Sequence, residues 1–328
     1  TASFSRPHFP LTAPRRYVAR YWDLEADEPT DRLTDPPVGF EGDTTGHPMT
    51  VGARDGFRTA DIGEREQQRA RAAYFACVDY LDEIVGDLLA ALDRGGFLED
   101  TVVVYASDHG ELAGEHGLWW KHTWHEAAAR VPFVVETPGQ RRGDPGHAVE
   151  TPASLADLFP TVCGLAGVDV PAGVDGTDLS AAVRTGEEPD RGPVFCDNLV
   201  DRWGAGTEFR MVRDGRYKYV GFRDAPELLF DLEADPLEQE NLAEDPGAAP
   251  EALERLRGVV AETMDFEAAA RERERDEAAL QEHQLAVPTE LRNSYHMPDG
   301  TIVDADTPLY RPHVITENPG AAFEDYPE

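Results

Sequence analysis

The sequence predicts an α/β protein with a doubly wound sheet, followed by a smaller C-terminal subdomain of antiparallel sheet plus helix. Two apolar runs without polar alternation, "TVVVYA" at 101–106 and "VPFVVE" at 131–136, are typical of strands that are buried on both faces. A helical pattern precedes the first run, and another follows the second. Because apolar strands that alternate with helices indicate a parallel sheet, we expect the two runs to lie in one parallel sheet.

The helix before the first strand has the clearest pattern. From Glu64 onward apolar residues recur every three or four positions, and Gly95-Gly96 ends the pattern. Residues 152–166 predict a second helix. Residues 1–11 predict a short strand followed by a turn, and residues 29–56, rich in Pro, Gly and Asp, predict a long irregular segment.

The later part of the chain changes to alternating runs. "EFRMVRDGRYKYVGF" places two of them around Asp214-Gly215, which predicts a β-hairpin, and "ELLFDL" predicts a third strand. A charged helix is predicted over 251–285, with an apolar stripe at Leu253, Leu256 and Val260, and an irregular tail from about 288. The predicted division is residues 1–193 for the main α/β unit, 194–265 for the small subdomain and 266–328 for the charged helix and tail.

The chain is strongly acidic, with 64 Asp and Glu against 30 Lys and Arg and a net charge of −34. This balance excludes nucleic acid and anionic membrane surfaces as partners, because these need clustered cations. Acid spread along the whole chain supports the hypothesis of adaptation to high salt, which screens self-repulsion. Three separated cysteines indicate reduced thiols, and no apolar run is long enough to span a membrane. A cytoplasmic location is therefore favoured.

Candidate functional residues follow the first predicted strand. Asp108 and His109 come directly after it, and a carboxylate and an imidazole side by side can ligate one divalent cation. Oxygen-rich ligation favours calcium or magnesium, and His109 keeps manganese as an alternative. Asp-His-Gly is equally a good turn sequence, so both interpretations stay open.

Lys121 lies in the loop that continues from this turn, between tryptophans and histidines. A lysine near a metal can bind an anionic oxygen or protonate a leaving group, although an ordinary surface lysine has the same sequence appearance. His122 and His125 do not form an HExxH zinc motif. The three tryptophans of the loop favour packing over a cage for a quaternary ammonium group. His8, between two prolines, is a weaker candidate for the same edge of the sheet.

Taken together, five segments resemble the sulfatase family of the alkaline phosphatase superfamily. They are "SFSRPHFP", "YFACVDYLDEIVGDLLAAL", "VVVYASDHGELAGEHGLWWKHTWHEAAARVP", "ADLFPTVCGLAGV" with "VDGTDL", and "LLFDLEADPLEQENLAED". The third is the most specific, and the likeness covers about residues 1–265. Within the family, "RYVARYWDL" and "GLWWK" followed by "ARVP" look closest to choline-sulfatases. The resemblance implies an alkaline-phosphatase-like fold.

The resemblance also implies site roles and a chemistry. The family hydrolyses sulfate esters with a formylglycine nucleophile close to a calcium or similar ion. By matching positions, Asp108 and His109 are implied as metal ligands. Lys121 is implied to contact the sulfate and the leaving oxygen. His8 is implied to hold a sulfate oxygen and to assist protonation of the leaving group.

One part of the family pattern is not found in this sequence. Formylglycine is made within a C/S-x-P/A-x-R motif, which none of the three cysteines forms here, and the family's Asp-Asp metal ligands are also absent. The resemblance places both before position 1. We therefore expect this chain to be the C-terminal two-thirds of a sulfatase and to be inactive alone.

The predicted substrate is a small sulfate ester, with choline sulfate as a candidate, because a charge of −34 disfavours polyanions at low salt. A phosphonate monoester or phosphodiester hydrolase of the same superfamily is the closest alternative, and a non-catalytic remnant is another. Choline-sulfatases have a C-terminal extension that packs between subunits. "RNSYHMPDG", at 292–300, resembles it weakly, so a homo-oligomer through the tail is an expectation, and a solvated tail is an equal alternative.

Overall fold

The computed structural model describes residues 1–42, 45–144, 146–245 and 247–286, and two short strands in the tail. The helices are α1 Arg15–Val18, α2 Pro48–Phe57, α3 Glu64–Arg94, α4 Glu126–Ala129, α5 Pro138–Arg141, α6 Leu158–Ala166, α7 Ser180–Thr185, α8 Pro250–Thr263 and α9 Phe266–Ala286. The strands are β1 Trp22–Asp23, β2 Glu28–Pro29, β3 Val103–Ala106, β4 Phe133–Glu136, β5 Val194–Asn198, β6 Phe209–Asp214, β7 Tyr217–Phe222, β8 Leu228–Asp231, β9 Ser294–His296 and β10 Ile302–Asp304.

The long helix α3 forms where the apolar periodicity predicts it. Its first turn carries Glu64 and Glu66, which complement the positive end of the helix dipole, and it ends at Gly95. One face of α3 is buried through Ala76 and Cys77, which share a core cluster with Tyr17 of α1. The predicted helix is confirmed.

The two apolar strands pair in the opposite direction to the one predicted. β3 and β4 are antiparallel, with Tyr105 opposite Val134. A parallel pair needs a long crossover connection, usually a helix of several turns, whereas the connection here contains a short 3-10 turn at Glu115–Gly117 and the four-residue helix α4. The chain therefore loops back at the same end of the sheet. Tyr105 and Val134 are 42% and 57% exposed, so the described residues do not bury both faces of this pair.

The small antiparallel sheet is the most regular part of the chain. Its order is β5-β6-β7-β8, and the hairpin between β6 and β7 turns at Gly215, whose φ of 54° favours glycine. On one face Val212 and Leu229 pack against Leu256 and Val260 of α8. The predicted hairpin, third strand and apolar helix stripe are confirmed.

The helix predicted over 251–285 is two helices. Met264 between α8 and α9 has extended backbone, and the Asp265 carboxylate accepts a hydrogen bond from the Ala268 N–H at 2.8 Å. Such a side-chain acceptor begins a new helix, which explains why one charged pattern yields two elements.

Helix α2 lies within the segment predicted to be irregular. His47 precedes it and accepts a hydrogen bond from the Met49 N–H, and Pro48 occupies the first turn, where a missing N–H costs nothing. For the same reason Pro160 is tolerated in the first turn of α6, which begins later than predicted. Residues 1–5 lie outside any described strand, so the predicted N-terminal strand was wrong.

One core cluster draws on residues from both sides of the predicted boundary at 193. Leu112 and Trp124 pack there with Trp203, Phe209 and Phe230. The three-part division therefore stays a prediction. Of the tail, β9 and β10 form an antiparallel pair in a segment predicted to be irregular, and the rest lies outside the described residues. In the described ranges no helix is both long and apolar enough to cross a bilayer.

Candidate active site

The turn after β3 brings a carboxylate and an imidazole together. The Asp108 Oδ2 atom lies 3.6 Å from His109 Nε2, and the Asp108 side chain is 84% exposed. His109 Nδ1 lies 2.7 Å from the Gly110 carbonyl, which can only accept, so this nitrogen donates and, in the neutral imidazole, Nε2 carries the lone pair. Gly110 is required because a Cβ there would lie 2.0 Å from the Ala127 carbonyl oxygen. One oxygen and one nitrogen ligand are thus oriented towards the same space.

His8 and Lys121 form the other half of the site. Lys121 Nζ lies 2.9 Å from His8 Nε2, while His8 Nδ1 donates to the Phe9 carbonyl at 2.8 Å. His8 is therefore the tautomer whose Nε2 accepts from the Lys121 ammonium. The His8 and His109 rings have centroids 6.3 Å apart, so all four candidates lie at one edge of the β3–β4 pair.

The donor set fits a divalent cation in part. Asp108 supplies exposed carboxylate oxygens, and the backbone hydrogen bond that orients His109 is typical of metal-binding histidines. Within the described ranges, no third His, Cys, Asp or Glu completes a cluster with this pair. The ligand roles of Asp108 and His109 stay predictions.

The backbone around Lys121 is strained, and hydrogen bonds to the Glu111 side chain hold it in place. Trp120 and His122 on either side of it have φ values of 67° and 75°, a region that non-glycine residues rarely adopt. The Glu111 carboxylate accepts hydrogen bonds from the Trp120 N–H at 2.5 Å and the Ala113 N–H at 3.1 Å. Burial raises the pKa of Glu111, and its two backbone donors act in the opposite direction.

The tryptophans of this loop serve mainly for packing. Trp119 and Trp124 are 7% and 0% exposed, which confirms the packing interpretation and leaves neither free to line a cage for a quaternary ammonium group. Trp120 is half-buried, with its ring centroid 5.7 Å from that of Phe9 and 4.3 Å from that of Phe57. Trp120, the residue before Lys121, thus packs between Phe9 and Phe57.

Comparison with known proteins identifies the family. The sequence profile of the sulfatase family matches residues 1–168, just over half of the chain. The chain belongs to the sulfatase family. A second profile, the C-terminal region of N-sulphoglucosamine sulphohydrolase, matches residues 114–264.

Individual relatives agree with this assignment. The chain is 36% identical to a choline-sulfatase of Rhizobium meliloti (strain 1021) over 91% of this chain and 56% of that protein. It is 33% identical to arylsulfatase K of Xenopus laevis over 63% of this chain and 39% of that protein. The chain therefore spans about half the length of the curated relatives it matches, or less.

The fold is shared with solved structures. A phosphonate monoester hydrolase from Silicibacter pomeroyi superposes with a TM-score of 0.63 at 28% identity, over 90% of this chain and 57% of that one. The alkaline-phosphatase-like α/β fold, with its small antiparallel sheet and helices, is thereby confirmed.

Arg202 lies beside the candidate site, and the sequence did not reveal it. It lies in the loop between β5 and β6, and its Nη1 is 3.2 Å from His122 Nε2. The pKa of His122 is lowered by burial first, and then by the charges of Arg202, Lys121 and His109. The contact joins residues 80 positions apart, which no local pattern predicts.

A buried charge cluster lies behind the same loop. Lys218 of β7 is fully buried, with Nζ 2.9 Å from Glu126 Oε1 and 2.7 Å from Glu238 Oε1. Glu238 also accepts a hydrogen bond from the Glu126 N–H at 2.6 Å. Burial raises the pKa of Glu238. Burial also acts to raise the pKa of Glu126, but the Lys218 ammonium, together with the charges of Arg213 and Arg130, lowers this pKa overall. The cluster ties the small sheet to the segment that carries Lys121.

Proposed function

We propose that this chain carries the leaving-group and metal side of the active site of a sulfuric ester hydrolase. The observation that supports the proposal most directly is the Lys121–His8 contact of 2.9 Å beside the Asp108–His109 turn. Hydrolysis of a sulfate ester breaks the S–O bond between the sulfur and the alcohol oxygen, and this oxygen then needs a proton. A hydrogen-bonded ammonium and imidazole can supply it, and the ammonium also neutralises charge on a sulfuryl oxygen.

The proposal includes a divalent cation, with calcium first and magnesium or manganese as alternatives. Asp108 and His109 would hold it, and when bound it would neutralise charge on the sulfuryl oxygens. The nucleophile is outside the proposed assignments. None of the three cysteines forms the C/S-x-P/A-x-R motif in which the family makes formylglycine. Ser180, with Ala182 and Arg184, fits the spacing of the motif, but it is buried in α7, where its hydroxyl accepts a hydrogen bond from Arg184 at 3.4 Å. We expect the isolated 328-residue polypeptide to release no sulfate from nitrophenyl sulfate.

The substrate proposed from the family resemblance is a small sulfate ester. The relative from Rhizobium meliloti, a choline-sulfatase, supports choline sulfate as one candidate. The natural protein, isolated at full length, should release sulfate from small sulfate esters, and chelation of divalent cations should abolish this release. Sulfate release that is unaffected by chelators would contradict the metal part of the proposal.

A phosphonate monoester hydrolase is the second candidate, favoured by the structural likeness over 90% of the chain. Rates on matched sulfate and phosphonate monoesters, measured in competition, separate the two. A higher kcat/KM for the phosphonate would replace the first proposal with the second. A full-length protein that hydrolyses neither ester would favour a non-catalytic remnant.

A further inference from the structure

Arg202 is exposed and contacts two residues beside the proposed site, His122 and Trp203. Its guanidinium lies over the ring of Trp203, 5.1 Å from the centroid, and the Trp203 indole N–H donates to the His122 carbonyl at 3.2 Å. Trp203 is 7% exposed and fits against two glycines of α2. A Cβ at Gly52 would lie 2.0 Å from the Trp203 carbonyl oxygen, and one at Gly56 would lie 2.8 Å from its ring. The glycines, four residues apart, form a notch on one helix face.

A continuous row of aromatic rings links this loop to Lys121. Trp203 contacts Phe57 at a centroid distance of 4.6 Å, Phe57 contacts Trp120, and Trp120 contacts Phe9. Lys121 Nζ lies 5.8 Å from the Phe9 centroid. The same row thus supports the Lys121 ammonium at one end and the Arg202 guanidinium at the other.

The donors of Arg202 are largely unused. A guanidinium has five N–H donors, and a neutral imidazole nitrogen accepts from only one of them. Across the described ranges, no carboxylate lies within ion-pair distance of Arg202, although the chain carries 64 Asp and Glu. The N–H groups of the guanidinium that are not used by His122 can donate two parallel hydrogen bonds to a carboxylate or a sulfate.

We propose that Arg202 is a specificity-determining residue that binds a second anionic group, a carboxylate or a sulfate, on the alcohol portion of the sulfate ester. This inference rests on the proposed function, since it deepens the substrate assignment of the same site. It also disfavours choline sulfate as the substrate, because the alcohol portion of that ester is cationic and carries no second anionic group. Salt screens the repulsion between the acidic surface and an anionic substrate beyond about 10 Å. Arg202 would instead bind the anionic group by direct contact, where screening is weak.

The test uses the natural full-length protein and matched pairs of phenyl sulfates. One member of each pair carries a carboxylate at the meta or para position, the other an uncharged carboxamide, and choline sulfate serves as the cationic ester. We expect the wild type to prefer the carboxylate member. Arg202→Ala should lower the ratio of kcat/KM between the members by about ten- to a hundredfold, mainly through KM, since one charge-assisted hydrogen-bond pair is lost.

The controls separate specificity from structure. Arg202→Lys should keep part of the ratio, and Arg94→Ala, an exposed arginine at the end of α3, should keep all of it. An equal loss on the carboxylate ester, the carboxamide ester and choline sulfate would overturn the proposal, because it would place Arg202 on the transferred group or in the fold. An unchanged ratio would overturn it as well.

A protein without sulfatase activity would refute the proposed function but still decide the role of Arg202. Calorimetric binding of 4-hydroxybenzoate and of 4-hydroxybenzamide is then compared in the wild type and Arg202→Ala. Tighter binding of the benzoate by at least tenfold, lost in the variant, supports the proposal. Equal binding of both compounds to the wild type refutes it.

Discussion

The chain contains two lysines, and they lie in opposite environments. Lys121 is half-buried, and its ammonium faces the neutral imidazole of His8, with no carboxylate at ion-pair distance in the described ranges. Lys218 is fully buried between the carboxylates of Glu126 and Glu238. A cation held by carboxylates is neutralised and serves the fold, whereas a cation held by an imidazole keeps its charge for an incoming anion. The surroundings, and not the residue type, separate the two functions.

The largest effect is expected at the lysine that keeps its charge. In the natural full-length protein, Lys121→Ala should lower kcat/KM for a sulfate ester by about a thousandfold, which is typical for loss of one preorganised donor to developing negative charge. The thermal unfolding midpoint should stay unchanged, because the side chain contacts an exposed histidine. Lys121→Arg should restore part of the activity. A tenfold loss or less for Lys121→Ala would assign Lys121 to the surface.

The opposite result is expected at the neutralised lysine. Lys218→Ala should lower the free energy of unfolding by about 3 kcal/mol, because the buried carboxylate of Glu238 and the partly buried carboxylate of Glu126 lose their counter-charge. Urea denaturation measures this change. The exposed ion pair of Arg275 with Glu272 is the matched control, and Arg275→Ala should leave the urea midpoint unchanged. Combining Lys218→Met with Glu126→Gln and Glu238→Gln should recover most of the lost stability. Failure of this rescue would show that packing, and not charge, is what Lys218 supplies.

The sequence predicted the Lys121 region better than the Lys218 region, for a physical reason. The residues of a strand-end turn are neighbours along the chain, so the Asp108–His109 pair is visible in the sequence, and the family resemblance supported the weaker candidate His8. Lys218 sits in an alternating strand pattern, where a lysine is expected to face solvent. Its burial depends on Glu238, whose backbone has a φ of 55°, and on Glu126, 92 positions away.

The wrong prediction for the direction of the β3–β4 pair also arises because it depends on contacts between residues distant in the sequence. The strands β3, β4 and β8 and the Asp214-Gly215 hairpin follow from local sequence patterns, and these were predicted correctly. The direction of the β3–β4 pair depends on how a connection of 26 residues, from 107 to 132, closes. That connection closes through Glu111 and through strained backbone, which hydrophobic periodicity does not report. The Arg202–His122 contact could not be predicted either, because it depends on how two loops 80 positions apart in the sequence fold.

A smaller effect is expected from pH, through the histidine next to Glu126. His125 is fully buried, and its pKa lies well below the usual value because of burial first, and then because of the charges of His116, Lys218 and His47. The unfolded chain binds a proton at His125 near the ordinary pKa of about 6.5. The free energy of unfolding should therefore fall as the pH decreases below that value, by at most ~1.4 kcal/mol per pH unit for this group.

Urea denaturation at several pH values checks this prediction. His125→Phe should flatten the pH dependence whatever it does to the absolute stability. His147→Asn, at an exposed histidine, should leave the dependence unchanged. A dependence that survives in His125→Phe would assign the acid sensitivity to the buried carboxylates instead.

The smallest effect is expected from salt, and it compares the surface with the buried cluster directly. Raising NaCl from 0.1 M to 2 M should increase the free energy of unfolding by about 1–2 kcal/mol, because screening weakens the self-repulsion of a surface with a charge of −34. Sucrose of equal osmolality controls for effects that do not depend on charge.

The loss of stability caused by Lys218→Ala should be the same at both salt concentrations, since ions do not enter the cluster of Lys218, Glu126 and Glu238. A protein that is more stable at low salt would contradict adaptation to high salt. A Lys218 penalty that shrinks in 2 M NaCl would show that solvent reaches Glu126 and Glu238.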